Sequence, residues 1–162
     1  MRSKILLSFS VLLFFACKQE PKTNFKPLNL LEHGIPLTIL APEEPEIKTM
    51  DLTVMKDLTI KKDAENYYVQ LYASTANTTD VQKLKSEHLE DVKKNPYFSK
   101  LVSEEPHGFI YEKQMDSTMT SYGFKYVLIQ GDQEYIFQNG LIGTFDLEAV
   151  KNMYDAVNQT KK

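Results

Sequence analysis

Metal binding is the first chemistry to consider, because the chain carries three histidines and one cysteine. His33, His88 and His107 share no ligand spacing of the His-x-x-x-His kind, and Cys17 directly follows an apolar stretch. Metal sites draw on such ligands at short, regular spacings. His88 falls on the apolar face of a predicted helix, where a hydrogen-bonded boundary histidine is the simpler interpretation. We therefore expect no metal and no cofactor.

Catalytic motifs are also absent from the sequence. No Gly-x-Ser-x-Gly segment occurs, and Gly140-Leu141-Ile142-Gly143 has two glycines but no following lysine, which is typical of a turn. Glu112 and Glu134 lie within predicted strands and are the acids that a fold could shelter, although a solvent-facing strand position explains each. We expect no catalytic residue and a protein that is not an enzyme.

Aromatic residues are the one compositional enrichment, with nine Tyr and nine Phe but no Trp. Most of them lie in or beside predicted strands and are expected to build the core and the half-buried face of a sheet. Tyrosine tolerates partial exposure and is enriched at protein interfaces. Tyr68, Tyr72, Tyr111 and Tyr126 are therefore predicted to form a partner-binding surface.

The elements that would position these side chains alternate between strands and helices. Residues 67–73 show the clearest period-two pattern, in which Tyr67, Val69 and Leu71 oppose Tyr68, Gln70 and Tyr72. Further strands are predicted at 35–41, 51–55, 58–62, 107–115, 123–130 and 133–138. Gly131-Asp132 is expected to close a hairpin, and Asn139-Gly140 to turn the chain again into Leu141-Ile142.

Two amphipathic helices are expected between and after these strands. Thr79-Asp80-Val81-Gln82 fits a capping box with Thr79 as the N-cap, and Asn95-Pro96 ends that helix. Residues 97–102 are expected to add a short helical turn. The second helix runs from Leu147 to Asn158 with Asp146 as its N-cap, and it buries a stripe of Leu147, Val150, Tyr154 and Val157.

This element order predicts an α+β domain, with a mostly antiparallel sheet and two main amphipathic helices packed on it. Strands that lead through a helix to a later meander, with a closing amphipathic helix, resemble the Mog1/PsbP-like architecture. The resemblance covers most of residues 35–158 and rests on element order, not on a motif. It implies binding and accessory roles.

The first residues predict where the protein resides. Arg2 and Lys4 precede twelve uncharged residues, 5–16, which is the pattern of a secretory signal and is too short to span a bilayer. Ala16-Cys17 resembles the lipobox of bacterial lipoproteins, in which the cysteine receives lipid after cleavage before it. Phe14 and Phe15 depart from the usual leucine and small residue, a loose match of the kind found in Bacteroidetes lipoproteins. Residues 17–27 are then a lipidated cysteine and a flexible tether, and residues 28–162 form a single globular domain.

The net charge and the cysteine content limit which classes of partner and which compartment suit this chain. Loss of Arg2 and Lys4 with the signal lowers the basic count from 19 to 17 against 22 acids, a net charge of −5. An acidic body is not drawn to nucleic acid or to an anionic bilayer. Once Cys17 carries lipid, no free thiol remains, which suits an oxidising compartment.

The sequence therefore predicts a non-enzymatic lipoprotein, anchored through lipid on Cys17, that acts as a partner-binding or accessory module for another envelope protein. Its expected location is the outer membrane, with the domain facing either the periplasm or the cell surface. A carrier of a small apolar ligand is the main alternative, since a cavity between sheet and helices would hold such a molecule. A hydrolase is the third.

Overall fold

The structure is a computed structural model that describes residues 23–161. The predicted signal, Cys17 and the first part of the tether lie outside the described residues. Within residues 23–161 the chain forms nine strands and two α-helices. Their bounds are β1 Lys26–Asn29, β2 Thr38–Ala41, β3 Glu46–Leu52, β4 Met55–Lys62, β5 Tyr67–Thr75, α1 Val81–Lys93, β6 Phe98–Glu105, β7 Gly108–Gln114, β8 Thr120–Gln130, β9 Gln133–Asn139 and α2 Leu147–Val157.

The strands form a seven-stranded sheet in the order β3-β4-β5-β9-β8-β7-β6 and a separate β1-β2 pair. Every pairing in both sheets is antiparallel. The chain builds the large sheet as two meanders, β3 to β5 and β6 to β9, which join where β5 pairs with β9. The predicted α+β class with an antiparallel sheet and two helices is confirmed.

The two helices lie on opposite faces of the large sheet. α2 and the β1-β2 pair cover one face, where Phe124, Phe137 and Val150 are fully buried in the largest core cluster. α1 covers part of the other face, where Leu84 packs with Val127 and Ile136 on neighbouring strands. Because side chains alternate along a strand, β4, β5, β8 and β9 supply residues to both faces.

Local signals start both helices. The Asp146 side chain accepts a hydrogen bond from the Ala149 backbone N–H at 2.7 Å, so the predicted N-cap of α2 is confirmed. The predicted N-cap of α1 is wrong by one residue. Asp80, not Thr79, accepts from the backbone N–H groups of Gln82 and Lys83, because Asp80 is the residue immediately before Val81 and its carboxylate faces the unpaired N–H groups of the first turn.

The structure differs from the predicted secondary structure in three segments. Residues 97–102 were expected to be helical but lie largely in β6, an edge strand with register shifts between Phe98 and Lys100 and between Leu101 and Ser103. Those shifts break the alternation that would identify a strand. The predicted strand 51–55 spans the turn between β3 and β4, where apolar Val54 is 80% exposed. The segment after Gly140 is a loop in which Leu141 and Ile142 are exposed.

The folded domain begins before residue 27, where the tether was predicted to end. β1 begins at Lys26, and the Phe25 ring packs edge-on against the Tyr67 ring with centroids 5.1 Å apart. The last residues of the expected tether therefore belong to the globular domain. Among residues 23–161, no helix has the length and apolar character needed to cross a bilayer.

Two glycines are required where a tyrosine ring lies flat against the neighbouring strand. The Tyr68 ring covers Gly140, so a Cβ atom at residue 140 would overlap it. The Tyr111 ring covers Gly123, its register partner, and a Cβ there would lie 2.6 Å from the ring. Glycine at these sites serves the close approach of a ring, a recognised role of glycine in strands.

Candidate partner-binding surface

The face of the large sheet that carries α1 is only partly covered. α1 lies over β8 and its neighbours, whereas the residues of β3 and β4 on that face remain exposed or half-buried. We call the uncovered part the open half-face. It consists of the α1-side residues of β3, β4 and β5, namely Glu46, Lys48, Met50, Leu52, Met55, Asp57, Thr59, Lys61, Tyr68, Gln70, Tyr72 and Ser74.

The four tyrosines predicted to form a partner surface do not share one surface. Tyr68 and Tyr72 are half-buried and lie together on the open half-face. Tyr111 lies on the same face of the sheet but packs beneath α1, beside Phe98 and Phe109. Tyr126 is fully buried on the opposite face, where its ring meets those of Phe137 and Tyr154. The expectation that Tyr126 is accessible is therefore wrong, because its position in β8 points it into the α2-side core.

A hydrogen-bonded ladder of polar side chains crosses four adjacent strands, from β8 and β9 beside α1 to β5 and β4 in the open half-face. The Gln70 amide donates to both carboxylate oxygens of Asp57, at 3.2 and 3.1 Å, and the Gln138 amide donates to Gln70 Oε1 at 3.3 Å. Lys125 Nζ donates to Gln138 Oε1. All donors point the same way, from the ammonium on β8 to the carboxylate on β4. Such chains polarise one another, which strengthens each bond and fixes the side chains in place.

Tyr68 and Tyr72 flank this ladder. Tyr72 is the register partner of Asp57, and the ammonium of Lys61 lies 5.5 Å from the centre of the Tyr68 ring. Burial raises the pKa of Tyr72, and the nearby carboxylate of Asp57 raises it further. The Tyr72 phenol therefore stays protonated at neutral pH and can donate a hydrogen bond from the surface.

One side of α1 borders the open half-face, and two clefts lie between this helix and the sheet. The first, about 240 Å³, is lined by residues that include Glu87, His88, Asp91 and Glu134. The second, about 260 Å³, shares His88 and Asp91 with the first and reaches Lys125. A groove with mixed charges therefore separates the helix from the polar ladder.

Burial lowers the pKa values of His88 and Lys125 in this groove. For His88 the loss of hydration is the main cause, and the positive charge of Lys125 lowers its pKa further, while Asp91 and Glu87 act in the opposite direction. For Lys125 the loss of hydration again lowers the pKa, opposed by Asp91. His88 is thus held towards its neutral form, in which one ring nitrogen can accept a hydrogen bond.

Glu112 and Glu134, expected to face solvent, are both sheltered. The Glu112 side chain is only 12% exposed and accepts hydrogen bonds from Ser99 and Tyr122, so its pKa is lowered, chiefly by the Ser99 bond. Glu134 is 8% exposed, and its Oε1 accepts from the Ser74 hydroxyl at 3.2 Å. The register places Glu112 on the α2 side and Glu134 on the α1 side. The sheet separates these two carboxyl groups, so they cannot act as an acid–base pair.

The three histidines lie apart. His33 contacts Thr49, His107 contacts the Val127 carbonyl oxygen, and His88 lines the clefts beside α1. Among residues 23–161, no three His, Cys, Asp or Glu side chains converge in a way that would hold a metal ion.

Sequence reasoning missed the ladder residues Asp57, Gln70, Gln138 and Lys125. The alternation in 67–73 did place Gln70 on the same side as Tyr68 and Tyr72, and this is the one signal that pointed to a polar floor. The other three residues come from β4, β8 and β9, and only the pairing register brings them into line.

Comparisons of this chain with protein-family models, with curated proteins and with solved structures find no match.

Proposed function

We propose that this chain is a lipoprotein of a bacterial cell envelope, held to the membrane by lipid on Cys17, whose domain binds another envelope protein through the open half-face. The proposed membrane attachment is supported by the basic N-terminal residues, the uncharged residues 5–16 and the Ala16-Cys17 junction. Several acyl chains on one cysteine hold a protein on a membrane almost irreversibly, because each buried methylene contributes about 0.8 kcal/mol.

The observation that carries partner binding is the ladder with its flanking tyrosines. Gln70 and Gln138 are each 7% exposed, although the α1-side residues of β4, the strand next to Gln70, are only half-buried. The hydrogen bonds of the ladder fix its side chains beside Tyr68 and Tyr72, and a preorganised surface lowers the entropy cost of binding. Tyrosine is enriched at protein interfaces, so two half-buried tyrosines beside fixed hydrogen-bonding groups suit a partner-binding role.

A binding role is favoured over a carrier role by the packing of the α2 side. The space between the sheet and α2 is filled by aromatic rings, with Tyr154 in edge-on contact with both Phe124 and Tyr126 at centroid distances of 5.9 and 6.0 Å. A carrier of apolar molecules needs a cavity at this place. The separation of Glu112 from Glu134 by the sheet likewise favours a protein that binds rather than one that catalyses.

Membrane attachment is tested with Cys17→Ser. We expect the variant to lose its membrane association and to accumulate as soluble or uncleaved precursor, as measured by cell fractionation and the mass of the mature chain. Variant protein that is still cleaved after Ala16 and still found in the membrane fraction would refute the lipid anchor.

The open half-face is tested by site-specific photo-crosslinking in intact cells. A photoreactive side chain at Thr59 or Met50 should give a discrete adduct with one envelope protein. The same group at Lys151, which is exposed on α2, is the matched control and should give none. The adduct from residue 59 should weaken when Tyr72 is changed to Ala. Equal adducts from residues 59 and 151 would show that the open half-face has no special role.

A further inference from the structure

One end of the large sheet carries an unusual share of exposed apolar side chains. Nine large hydrophobic residues of the described chain are exposed, and five of them lie at the end of the sheet where β4 leads into β5. We call these five the apolar rim: Tyr97, Met115, Met119, Leu141 and Ile142. Leu141 and Ile142 are 73% and 81% exposed, respectively. Exposed apolar side chains gathered at one end of a domain are typical of a surface that contacts a protein or a membrane.

The topology explains why these residues meet. Leu141 and Ile142 follow β9, Met115 and Met119 lie in the turn from β7 to β8, and Tyr97 precedes β6. The Tyr97 carbonyl accepts from the Gln114 backbone N–H at 2.8 Å, which fixes it beside the end of β7. Strands β9, β8, β7 and β6 are neighbours in the sheet. At roughly 4.8 Å per strand, the rim extends over about 15 Å.

The described chain also begins at this end. Thr23 and Phe25 line a cleft together with Asn66 and Tyr67, and Ile142 lines an adjoining cleft with the same Asn66 and Tyr67. Cys17 precedes Thr23 by six residues. Even a fully extended chain of six residues spans only about 20 Å. A lipid on Cys17 therefore holds this end of the domain, and not the opposite one, close to the bilayer.

We propose that the apolar rim inserts into the bilayer interface as a second membrane contact, so that the domain stands on the membrane at the end of the sheet that carries Leu141 and Ile142. This inference rests on the proposed lipidation of Cys17. Apolar side chains of peripheral proteins enter the boundary between headgroups and acyl chains by about 5–10 Å, while loop backbone groups stay within reach of the hydrated headgroups.

The charge of the domain supports apolar contact as the means of attachment. The mature chain carries a net charge of −5 once the signal is removed, so an anionic bilayer would repel it weakly. Asp116, which lies between Met115 and Met119, accepts hydrogen bonds from Thr118 and the Met119 backbone N–H, which keep its carboxylate turned into its own turn. In this orientation the strands rise from the membrane and the open half-face points sideways, where a neighbouring envelope protein can reach it.

The experiment uses the mature lipoprotein, made from the full-length chain and reconstituted into vesicles of phosphatidylethanolamine and phosphatidylglycerol. Cys17 is the one cysteine of the sequence, and lipidation blocks its thiol, so a cysteine introduced elsewhere is the sole site for a fluorescent label. Ile142→Cys places the label on the rim. Val54→Cys is the matched control, because Val54 is 80% exposed and lies in a turn at the opposite end of the sheet.

We expect nitroxide-labelled lipids to quench the label at residue 142 strongly and the label at residue 54 weakly. Quenching that is equal at both positions, or absent at 142, would overturn the membrane contact while leaving the lipid anchor intact. Shielding of residue 142 from aqueous iodide only in native membranes, without quenching by lipid, would indicate a protein partner at the rim and would also overturn it. Labelling of the unsubstituted protein would expose a free Cys17 thiol, which refutes the proposed anchor and the orientation with it.

Discussion

The two faces of the large sheet are built from the same strands but differ in what they bury. On the α2 side, β5 contributes Val69 and Leu71, both fully buried against the largest core cluster. Between them in sequence, Gln70 points to the α1 side and joins a hydrogen-bonded ladder that runs from Lys125 beside α1 to Asp57 on β4. One strand can thus support a closed apolar layer and an ordered polar surface, because alternation separates the two environments completely.

The largest expected effect tests the closed face. Val150 is fully buried on α2, so Val150→Asp places an unpaired charge in the core and should cost about 3–5 kcal/mol or unfold the domain. Lys151→Asp, one residue along on the exposed side, should cost little. Thermal melts of both variants measure this. An unchanged melting temperature for Val150→Asp would mean that the α2 face is not the closed core.

An intermediate effect is expected on the open half-face. Gln138→Leu leaves Gln70 Oε1 without its donor and the Lys125 ammonium without its acceptor, which should cost about 1–3 kcal/mol in chemical denaturation. Gln130→Leu, at an exposed position of β8, is the control and should be nearly neutral. If both substitutions were equally mild, the ladder would be solvated rather than ordered.

The smallest effect concerns pH at the groove beside α1. The pKa of His88 is lowered in the folded state from its ordinary 6.5, mainly by burial, so the unfolded chain binds the proton more readily. The stability present above pH 6.5 is therefore lost as pH falls through the folded pKa. His88→Gln should flatten that part of the curve of melting temperature against pH. A variant curve parallel to that of the unsubstituted protein would show that His88 is not responsible.

Local signals explain which parts of the fold the sequence predicts. The α2 helix has an Asp at its N-cap and an apolar stripe at helical spacing, both of which act over a few residues, and its bounds differ from the prediction by one residue. The hairpin of β8 and β9 is likewise coded by Gly131-Asp132. β6 was not predicted because its two register shifts interrupt the alternation of apolar and polar residues. It is also an edge strand, so few of its side chains are buried.

The candidate surface depended on pairing that no local pattern reveals. Tyr68 and Tyr72 were correctly placed on one side of β5, because period two within one strand is a local property. Tyr126 was misplaced because the choice of which side of β8 faces α2 depends on how four strands align. The same alignment brings Asp57 and Lys125 to opposite ends of one ladder from sequence positions that are far apart.

The tyrosine rings that cover Gly140 and Gly123 limit which substitutions the sequence can accept at these two glycines. A side chain can be accommodated at residue 140 only after the ring at residue 68 has been replaced by something smaller, and the same order of events holds for 123 and 111. The tyrosine of each pair must therefore change before its glycine, or in the same step. Since Tyr68 belongs to the open half-face, a side chain at residue 140, just after β9, is possible only when that surface gives up its tyrosine.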